Sequence, residues 1–303
     1  MNTARLSGRD LAAALAVVVI WGVNFVAMKF ALRDFTPFQL GTARFVFAAL
    51  PMVLFIRPPA VPWKWVVLYG LFQGVGQFGI LFLALKVGMT AALASVLLQT
   101  QVFFTALFGF VLLHERASRP LQAGMVLAAL GLSCFAWNYV SPGGTAAGDT
   151  TVAGFLLTLG AAAMWSLSNI VARHVQQAAG NYSATAFVLW SSLVAVPPFM
   201  ALSFVFDPEA LRWQWLQAGV TSWLSVAYLG WMATLLGYSL WTSLLKRHPA
   251  NRVSPFGLGV PIVGLGAGML MLGELITPWQ WVGIAFMVAA LACVMLGGLV
   301  KRR

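Results

Sequence analysis

Charged residues are scarce in this chain. Only 8% of its 303 residues are Asp, Glu, Lys or Arg, while 61% are hydrophobic. A soluble domain carries about a quarter charged residues. A chain with so few polar groups cannot cover its own surface in water. The composition therefore excludes an ordinary soluble domain and indicates a protein that is solvated by lipid.

Acidic residues are scarcer than basic ones. Seven Asp and Glu stand against 18 Lys and Arg, which gives a net charge of +11. A basic excess can mark a nucleic-acid-binding protein. Here most basic residues lie in the short gaps between apolar stretches, as topology signals of membrane proteins do. We therefore expect a lipid bilayer and no nucleic acid as a partner.

The residues that bind metals and cofactors are also few. Cys134 and Cys293 each lie inside an apolar run, and His114, His174 and His248 lie near the ends of runs. None of them has a second ligand at metal-binding or redox spacing. The sequence has no serine–histidine set of the kind that hydrolases use. We expect no metal, no cofactor and no enzymatic activity.

Ten apolar stretches of about 20 residues follow one another, and each is long enough to cross a bilayer core. Lipid cannot hydrogen-bond an exposed backbone, so these stretches must be helices. We predict an all-α integral membrane protein with ten transmembrane helices. The predicted spans are 11–32, 37–56, 63–86, 90–113, 120–139, 152–174, 183–205, 216–245, 250–272 and 278–300.

The basic residues also predict the orientation of the chain. If the N-terminus is inside, 13 of the 18 Lys and Arg fall in inner gaps and tails and three in outer gaps. Lys29 and Arg44 lie within spans. Because cytoplasmic loops carry the excess of Lys and Arg, we expect both termini in the cytoplasm.

One long connector, residues 141–151, divides the chain into five spans plus five. Its glycines and small polar residues predict an external linker between residues 1–140 and 152–303. Since each half has an odd number of spans, the second half would insert upside down, as an inverted repeat around a central cavity. Four residues of the first half recur 159 positions later, namely Ala91, Ser95, Glu115 and Gly124 as Ala250, Ser254, Glu274 and Gly283.

Polar and aromatic residues inside the spans are the candidate cavity lining. Polar groups are costly in a membrane and usually face the protein interior or a water-filled cavity. Neutral amides, hydroxyls and aromatic faces suit a neutral or zwitterionic solute. The alternative is that some of them form ordinary hydrogen bonds between helices. The candidates are Trp21, Asn24, Gln73, Gln77, Gln99, Gln101, Trp165, Asn169, Tyr238 and Ser254.

Arg44 is the most deeply placed charge, eight residues into the second predicted span. It could bind a solute carboxylate. We favour the alternative of a structural charge, partnered by helix-end carbonyls or by Asp34. No Asp or Glu lies near the centre of a span, so we hypothesise that no buried carboxylate couples transport to protons.

Prolines in the ninth span interrupt helical hydrogen bonding. Pro255 and Pro261, near Gly257 and Gly259, therefore predict a hinge. Helix curvature without a functional role is the alternative.

The chain resembles the drug/metabolite transporter superfamily, and within it the ten-span EamA-type exporters. The likeness is greatest to bacterial amino-acid exporters of the cysteine/O-acetylserine type and of the YddG-like aromatic type. The proline that many members carry midway along the fourth span is absent, and the second half has no counterpart of Arg44. The resemblance is carried by Trp21-Gly22-Val23-Asn24-Phe25, Arg44-Phe45, the run 88–95, the run 98–105, Glu115-Arg116, Gly237-Tyr238, Pro261 and Leu272-Gly273-Glu274.

The resemblance implies an exporter of the bacterial inner membrane with a central cavity built from both halves. We expect a monomer that moves small neutral or zwitterionic metabolites, most of all amino acids, outward by alternating access. A drug or nucleotide-sugar carrier of the same superfamily is the first alternative. A membrane enzyme or scaffold that transports nothing is the second.

Overall fold

The computed structural model describes residues 7–50, 52–113, 118–140, 150–178, 182–248 and 250–300. All regular secondary structure in these ranges is helical. We number the longer helices in chain order and treat a helix with an internal π or 3-10 segment as one. They are α1 (Gly8–Ala31), α2 (Pro37–Ala49), α3 (Trp63–Lys86), α4 (91–113), α5 (Arg119–Val140), α6 (Val152–Ala178), α7 (Ala184–Phe206), α8 (220–247), α9 (250–272) and α10 (Pro278–Val300).

Within the described residues, nine of these helices are long and apolar enough to cross a membrane, and α2 is the exception. The chain is thus an all-helical, multi-pass membrane protein, as the hydropathy pattern predicts. Of the predicted linker, residues 141–149 lie outside the described part of the chain.

The second predicted span, 37–56, is shorter in the structure. Helix α2 begins sharply at a capping box, in which Thr36 and Gln39 each bond the other's backbone N–H. It ends at Ala49, and Leu50 adopts extended backbone angles. Leu50 precedes Pro51, and a residue before proline avoids the helical conformation. The chain's own sequence therefore stops this helix after 13 residues.

Four helices depart from regular α geometry, in two matched pairs. Helices α3 and α8 contain the π segments Gly70–Gly79 and Tyr228–Leu236, which begin 158 positions apart. Helices α4 and α9 contain the 3-10 segments Leu98–Thr100 and Ser254–Leu258. These offsets lie close to the 159-residue recurrence in the sequence. Such interruptions are often found at functional sites and hinges.

The helices pack in pairs that combine the two halves of the chain. Helix α5 packs along α10, α2 along α7, and α1 along α9, while α6 packs on α3 and α4. Small residues permit these close approaches. A Cβ at Gly22 would lie 2.6 Å from the Cβ of Val263 and 3.0 Å from the backbone nitrogen of Gly264.

Helix α1 begins at one end of the bundle, which we call the proximal end, and finishes at the opposite end, which we call the distal end.

Hydrogen bonds between the segments that connect the helices hold the distal end together. Asp34 accepts from the Ser222 hydroxyl at 2.7 Å and from the Gly219 N–H at 2.9 Å. These two donors hold the pKa of the Asp34 carboxyl below its usual value. Nearby, Asp207 accepts from the Thr36 hydroxyl at 2.7 Å.

We predict that Gly22→Ala destabilises the protein by about 1–3 kcal/mol, because the new methyl group would overlap α9. Gly266→Ala is the matched control, since a Cβ there meets nothing within 4 Å. Thermal unfolding in detergent would measure both. Equal melting temperatures for the two variants would contradict the close approach of α1 to α9.

Candidate solute cavity

A cavity of about 330 Å³ lies in the middle of the bundle and extends towards its proximal end. Tyr69, Trp241 and Met295 line its proximal part, and Leu81 lies towards its distal part. Eight of the ten side chains predicted from the sequence line this cavity, together with Arg44. They are Trp21, Asn24, Gln77, Gln99, Gln101, Trp165, Asn169 and Tyr238.

Arg44 is buried, with 2% of its surface exposed, and lies in the cavity wall. Its Nη1 donates to Asn24 Oδ1 and its Nη2 to Thr234 Oγ1, each at 3.4 Å. The centre of the guanidinium lies 3.8 Å from the centre of the Phe78 ring. Both hydrogen bonds are long, and the buried Nε has no hydrogen-bond partner.

No carboxylate among the described residues lies within ion-pair distance of Arg44. Asp34, which the sequence offered as a partner, bonds Gly219 and Ser222 instead. The prediction that Asp34 is a partner of Arg44 is therefore wrong, because residues at the start of α8 bind the Asp34 carboxylate. The guanidinium is a buried charge held by neutral groups alone, an arrangement that favours a further anionic partner.

Aromatic rings form one wall of the cavity. The indole N–H of Trp21 donates to the carbonyl of Ala233 at 3.0 Å and so fixes this ring in place. Trp21 lies 5.3 Å from Tyr238 and 5.5 Å from Trp241, measured between ring centroids. These faces can receive an apolar side chain or an ammonium group.

Amide side chains supply the neutral polar groups of the cavity. Asn169 donates to Gln101 Oε1 at 2.8 Å, and the backbone carbonyl of Gln101 accepts from the Ser166 hydroxyl at 2.8 Å. These contacts join α4 to α6. The Gln99 amide makes no hydrogen bond to any other residue that the structure describes, so its donor and acceptor face the cavity free.

Gln73 does not line the central cavity. Its Oε1 accepts from the Ser168 hydroxyl, and its amide donates to Gln77 Oε1. It lines a smaller neighbouring cavity of about 20 Å³, which Tyr238 shares. Gln73 therefore acts as the bond between α3 and α6 that the sequence analysis offered as an alternative. The side chain of Ser254 lies outside the described part of the structure.

The two candidate hinge prolines lie in the interrupted helix α9. Pro255 belongs to the 3-10 segment Ser254–Leu258. Pro261 is buried, and its carbonyl accepts from the Ser95 hydroxyl at 3.3 Å. The hinge role of both prolines stays a prediction.

Sequence reasoning missed three residues near Arg44 and the aromatic wall. Tyr69 and Trp241 line the cavity, and Thr234 bonds Arg44. Trp241 follows Tyr238 by three positions, a spacing that puts both on one face of a helix, and this signal could have found it. Tyr69 and Thr234 carry no comparable signal in a chain this rich in aromatic and hydroxyl side chains.

The cavity is lined by one guanidinium, by neutral amides and by aromatic rings. Among the described residues that line it there is no Asp, Glu or His, and the same part of the chain holds no group of His, Cys, Asp and Glu that could bind a metal. Long apolar helices around such a chamber define a membrane transport protein. The chain belongs to the EamA-like transporter family, which matches residues 10–137 and 152–296.

Two curated relatives cover almost the whole chain. A probable amino-acid metabolite efflux pump of Salmonella typhimurium is 36% identical over 298 residues, which are 98% of each chain. A protein of the same description in Escherichia coli is 35% identical over 94% of each chain. The threonine/homoserine exporter RhtA of E. coli is 31% identical over 62% of this chain and 58% of its own.

A solved crystal structure has the same fold, with a TM-score of 0.62 over 97% of this chain and 98% of its own. Its sequence is 19% identical to this one, so it bears on the fold alone.

We predict that the cavity is hydrated. With Cys134 and Cys293 replaced by Ser, Gln99→Cys should react with a small water-soluble methanethiosulfonate at least about tenfold faster than Leu97→Cys. Leu97 lies two residues away and is fully buried. Reaction of the unfolded proteins, in which both thiols are exposed, serves as the control. Equal rates in the folded proteins would mean that the cavity is dry.

Proposed function

We propose that this protein exports amino acids, or closely related small neutral or zwitterionic metabolites, from the bacterial cytoplasm by alternating access. Two lines support the proposal. Relatives that match almost the full chain are described as amino-acid metabolite efflux pumps. The central cavity offers groups that complement both a carboxylate and an apolar side chain.

The observation that carries this proposal is the buried guanidinium of Arg44, which lines the cavity and has no carboxylate of a described residue within ion-pair distance. Arginine presents donors in a fork that matches the two oxygens of a carboxylate. The carboxylate of a bound amino acid would supply the missing counter-charge. Its ammonium group would lie against the rings of Trp21 and Tyr238 or the Gln99 amide oxygen.

We also propose ten transmembrane helices in two inverted five-helix repeats, residues 1–140 and 152–303, joined by an external linker at 141–151. In this arrangement the short helix α2 also crosses the membrane and brings the number of spans from nine to ten. The π segments of α3 and α8 and the 3-10 segments of α4 and α9 support it, because they occur at matching positions. The packing of α1 on α9 and of α6 on α4 supports it as well, since a two-fold relation exchanges these pairs.

The proposed location is the inner membrane, with the protein as a monomer and both termini in the cytoplasm. The excess of Lys and Arg in the gaps at the proximal end supports this orientation. The cavity would then lie towards the cytoplasm, where an exporter collects its solute. Opening to the outside would use the interrupted helix α9, with Pro255 and Pro261 as hinges.

A drug or nucleotide-sugar carrier fits the cavity less well. A nucleotide sugar carries phosphates, which need several cationic groups. Among the described residues that line the cavity, Arg44 is the one with a cationic side chain, and Lys29 donates to the carbonyl of Leu85 at 3.1 Å. Substrate-specific counterflow in liposomes would separate a carrier from a membrane enzyme or scaffold.

We predict that Arg44→Lys lowers threonine and homoserine counterflow in proteoliposomes by about tenfold or more. Lysine keeps the charge but lacks the planar fork that holds both carboxylate oxygens. Arg33→Lys is the matched control, because Arg33 is exposed at the distal end. In parallel, an excess of threonine amide, which lacks the carboxylate, should not inhibit the wild type.

A wild-type counterflow rate in Arg44→Lys, or inhibition by the amide as strong as that by threonine, would remove Arg44 from solute recognition. If the wild type showed no counterflow with any of the twenty amino acids, that result would instead contradict the proposed substrate class.

Net release of threonine should not require a proton gradient, because none of the described lining residues is an Asp, Glu or His that could carry the proton. We predict that a protonophore leaves the initial rate of release from loaded proteoliposomes within about twofold. Strict dependence of the rate on an imposed pH gradient would contradict this prediction.

A further inference from the structure

The connection between α9 and α10 carries a carboxylate that is bound by the protein itself. The Oε1 of Glu274 accepts from the N–H of Ala91 at 2.7 Å, and its Oε2 accepts from the N–H of Ala92 at 2.7 Å. Both donors are in the first turn of α4, where backbone N–H groups lack a helical partner. Each oxygen thus makes one short, charge-assisted hydrogen bond.

The backbone before Glu274 aims its side chain at α4. Helix α9 ends at Leu272, and Gly273 takes the left-handed conformation with φ of 66°. The chain turns there and brings Glu274 back beside Gly268. A Cβ at Gly268 would lie 2.5 Å from the Glu274 carboxylate and 2.8 Å from the N–H of Ala92. Glycine at both positions is therefore required for this contact.

Helix α4 already has a cap of its own. Thr90 is its N-cap residue, and its hydroxyl accepts from the N–H of Leu93 at 3.3 Å. Glu274 comes from 183 positions away, in the other half of the chain. Its contact therefore does more than begin a helix, since it ties α4 of the first half to α9 of the second.

The two helices stay in contact from this carboxylate down to the cavity. A Cβ at Gly264 would lie 2.4 Å from the Cβ of Ser95. The Ser95 hydroxyl donates to the carbonyl of Ala92 in its own helix at 2.7 Å and also lies 3.3 Å from the carbonyl oxygen of Pro261. Below that point, Gln99 of α4 and Val260 of α9 line the cavity. We call this contact between α4 and α9, from Glu274 to Ser95, the distal seam. It separates the cavity from the distal end.

We propose that Glu274 is a positioning residue for transport, whose carboxylate holds the distal seam closed while the cavity faces the cytoplasm. Opening to the outside separates α4 from α9 and must break both carboxylate contacts, which form again when the cavity returns inward. This inference rests on the proposed function, which supplies the orientation and the alternating access.

The test places a reporter cysteine at Leu81, which is fully buried and lines the distal part of the cavity. Cys134 and Cys293 are replaced by Ser in the full chain, and an impermeant maleimide is applied from outside to intact cells. Glu274→Gln keeps the shape of the side chain but removes the charge and one of the two acceptors. We expect it to raise the labelling rate about tenfold, which corresponds to about 1.4 kcal/mol.

Two control variants separate the seam from general effects. Glu209→Gln makes the same change on an exposed acidic residue of the distal end and should leave the labelling rate unchanged. Thr90→Val removes the local cap of α4 without touching the α9–α10 connection. If Glu274 acts only by stabilising α4, Thr90→Val will raise labelling as much as Glu274→Gln does. That result would overturn the inference.

Two further results are decisive. No increase in labelling for a Glu274→Gln protein that elutes and melts as the wild type does would also overturn the inference. If a cysteine at Glu209 is labelled only in permeabilised cells, the orientation in the proposed function is wrong, and the inference fails with it. Labelling at Glu209 in intact cells together with faster labelling at Leu81 in Glu274→Gln would support both.

Discussion

The arrangement around Arg44 constrains much of this structure. A guanidinium deep among apolar helices must be held by polar groups or be exposed to water, since an isolated buried charge is strongly unfavourable. Here Asn24 of α1 and Thr234 of α8 hold it through long hydrogen bonds, and the Phe78 ring covers one of its faces. These contacts involve both halves of the chain. They leave the buried Nε without a hydrogen-bond partner, and the guanidinium belongs to a residue that lines the polar chamber.

The interrupted helices explain how such a chamber can exist within a packed bundle. Regular α-helices lined with small residues would close on each other, as α5 and α10 do at Gly131 and Gly283. The π segments of α3 and α8 and the 3-10 segment of α4 change the direction of side chains where the cavity begins. As a result, Gln77, Gln99 and Tyr238 face a common space. The same interruptions leave helix ends that can bend.

Much of the fold could be predicted because lipid imposes simple rules on sequence. Long apolar stretches predict helices, and polar residues within them predict an interior position, so Asn24 and Asn169 were found from the pattern alone. The predicted length of α2 was wrong because the apolar stretch continues past Leu50, whereas the proline that follows Leu50 ends the helix. Tyr69 was not predicted because the chain has 13 Trp, 22 Phe and 5 Tyr, and composition cannot tell a cavity ring from a lipid-facing one. Only packing decides that.

Symmetry and asymmetry have separate roles in this molecule. Backbone features recur in both halves, namely the π and 3-10 segments and the glycines at helix crossings. In the proposed alternating access, a repeated frame of this kind would give two arrangements of similar energy, one open to each side of the membrane. Arg44 has no counterpart in the second half, so the chemical groups of the cavity repeat only in part. The guanidinium proposed to bind a solute carboxylate is therefore a feature of the first half alone.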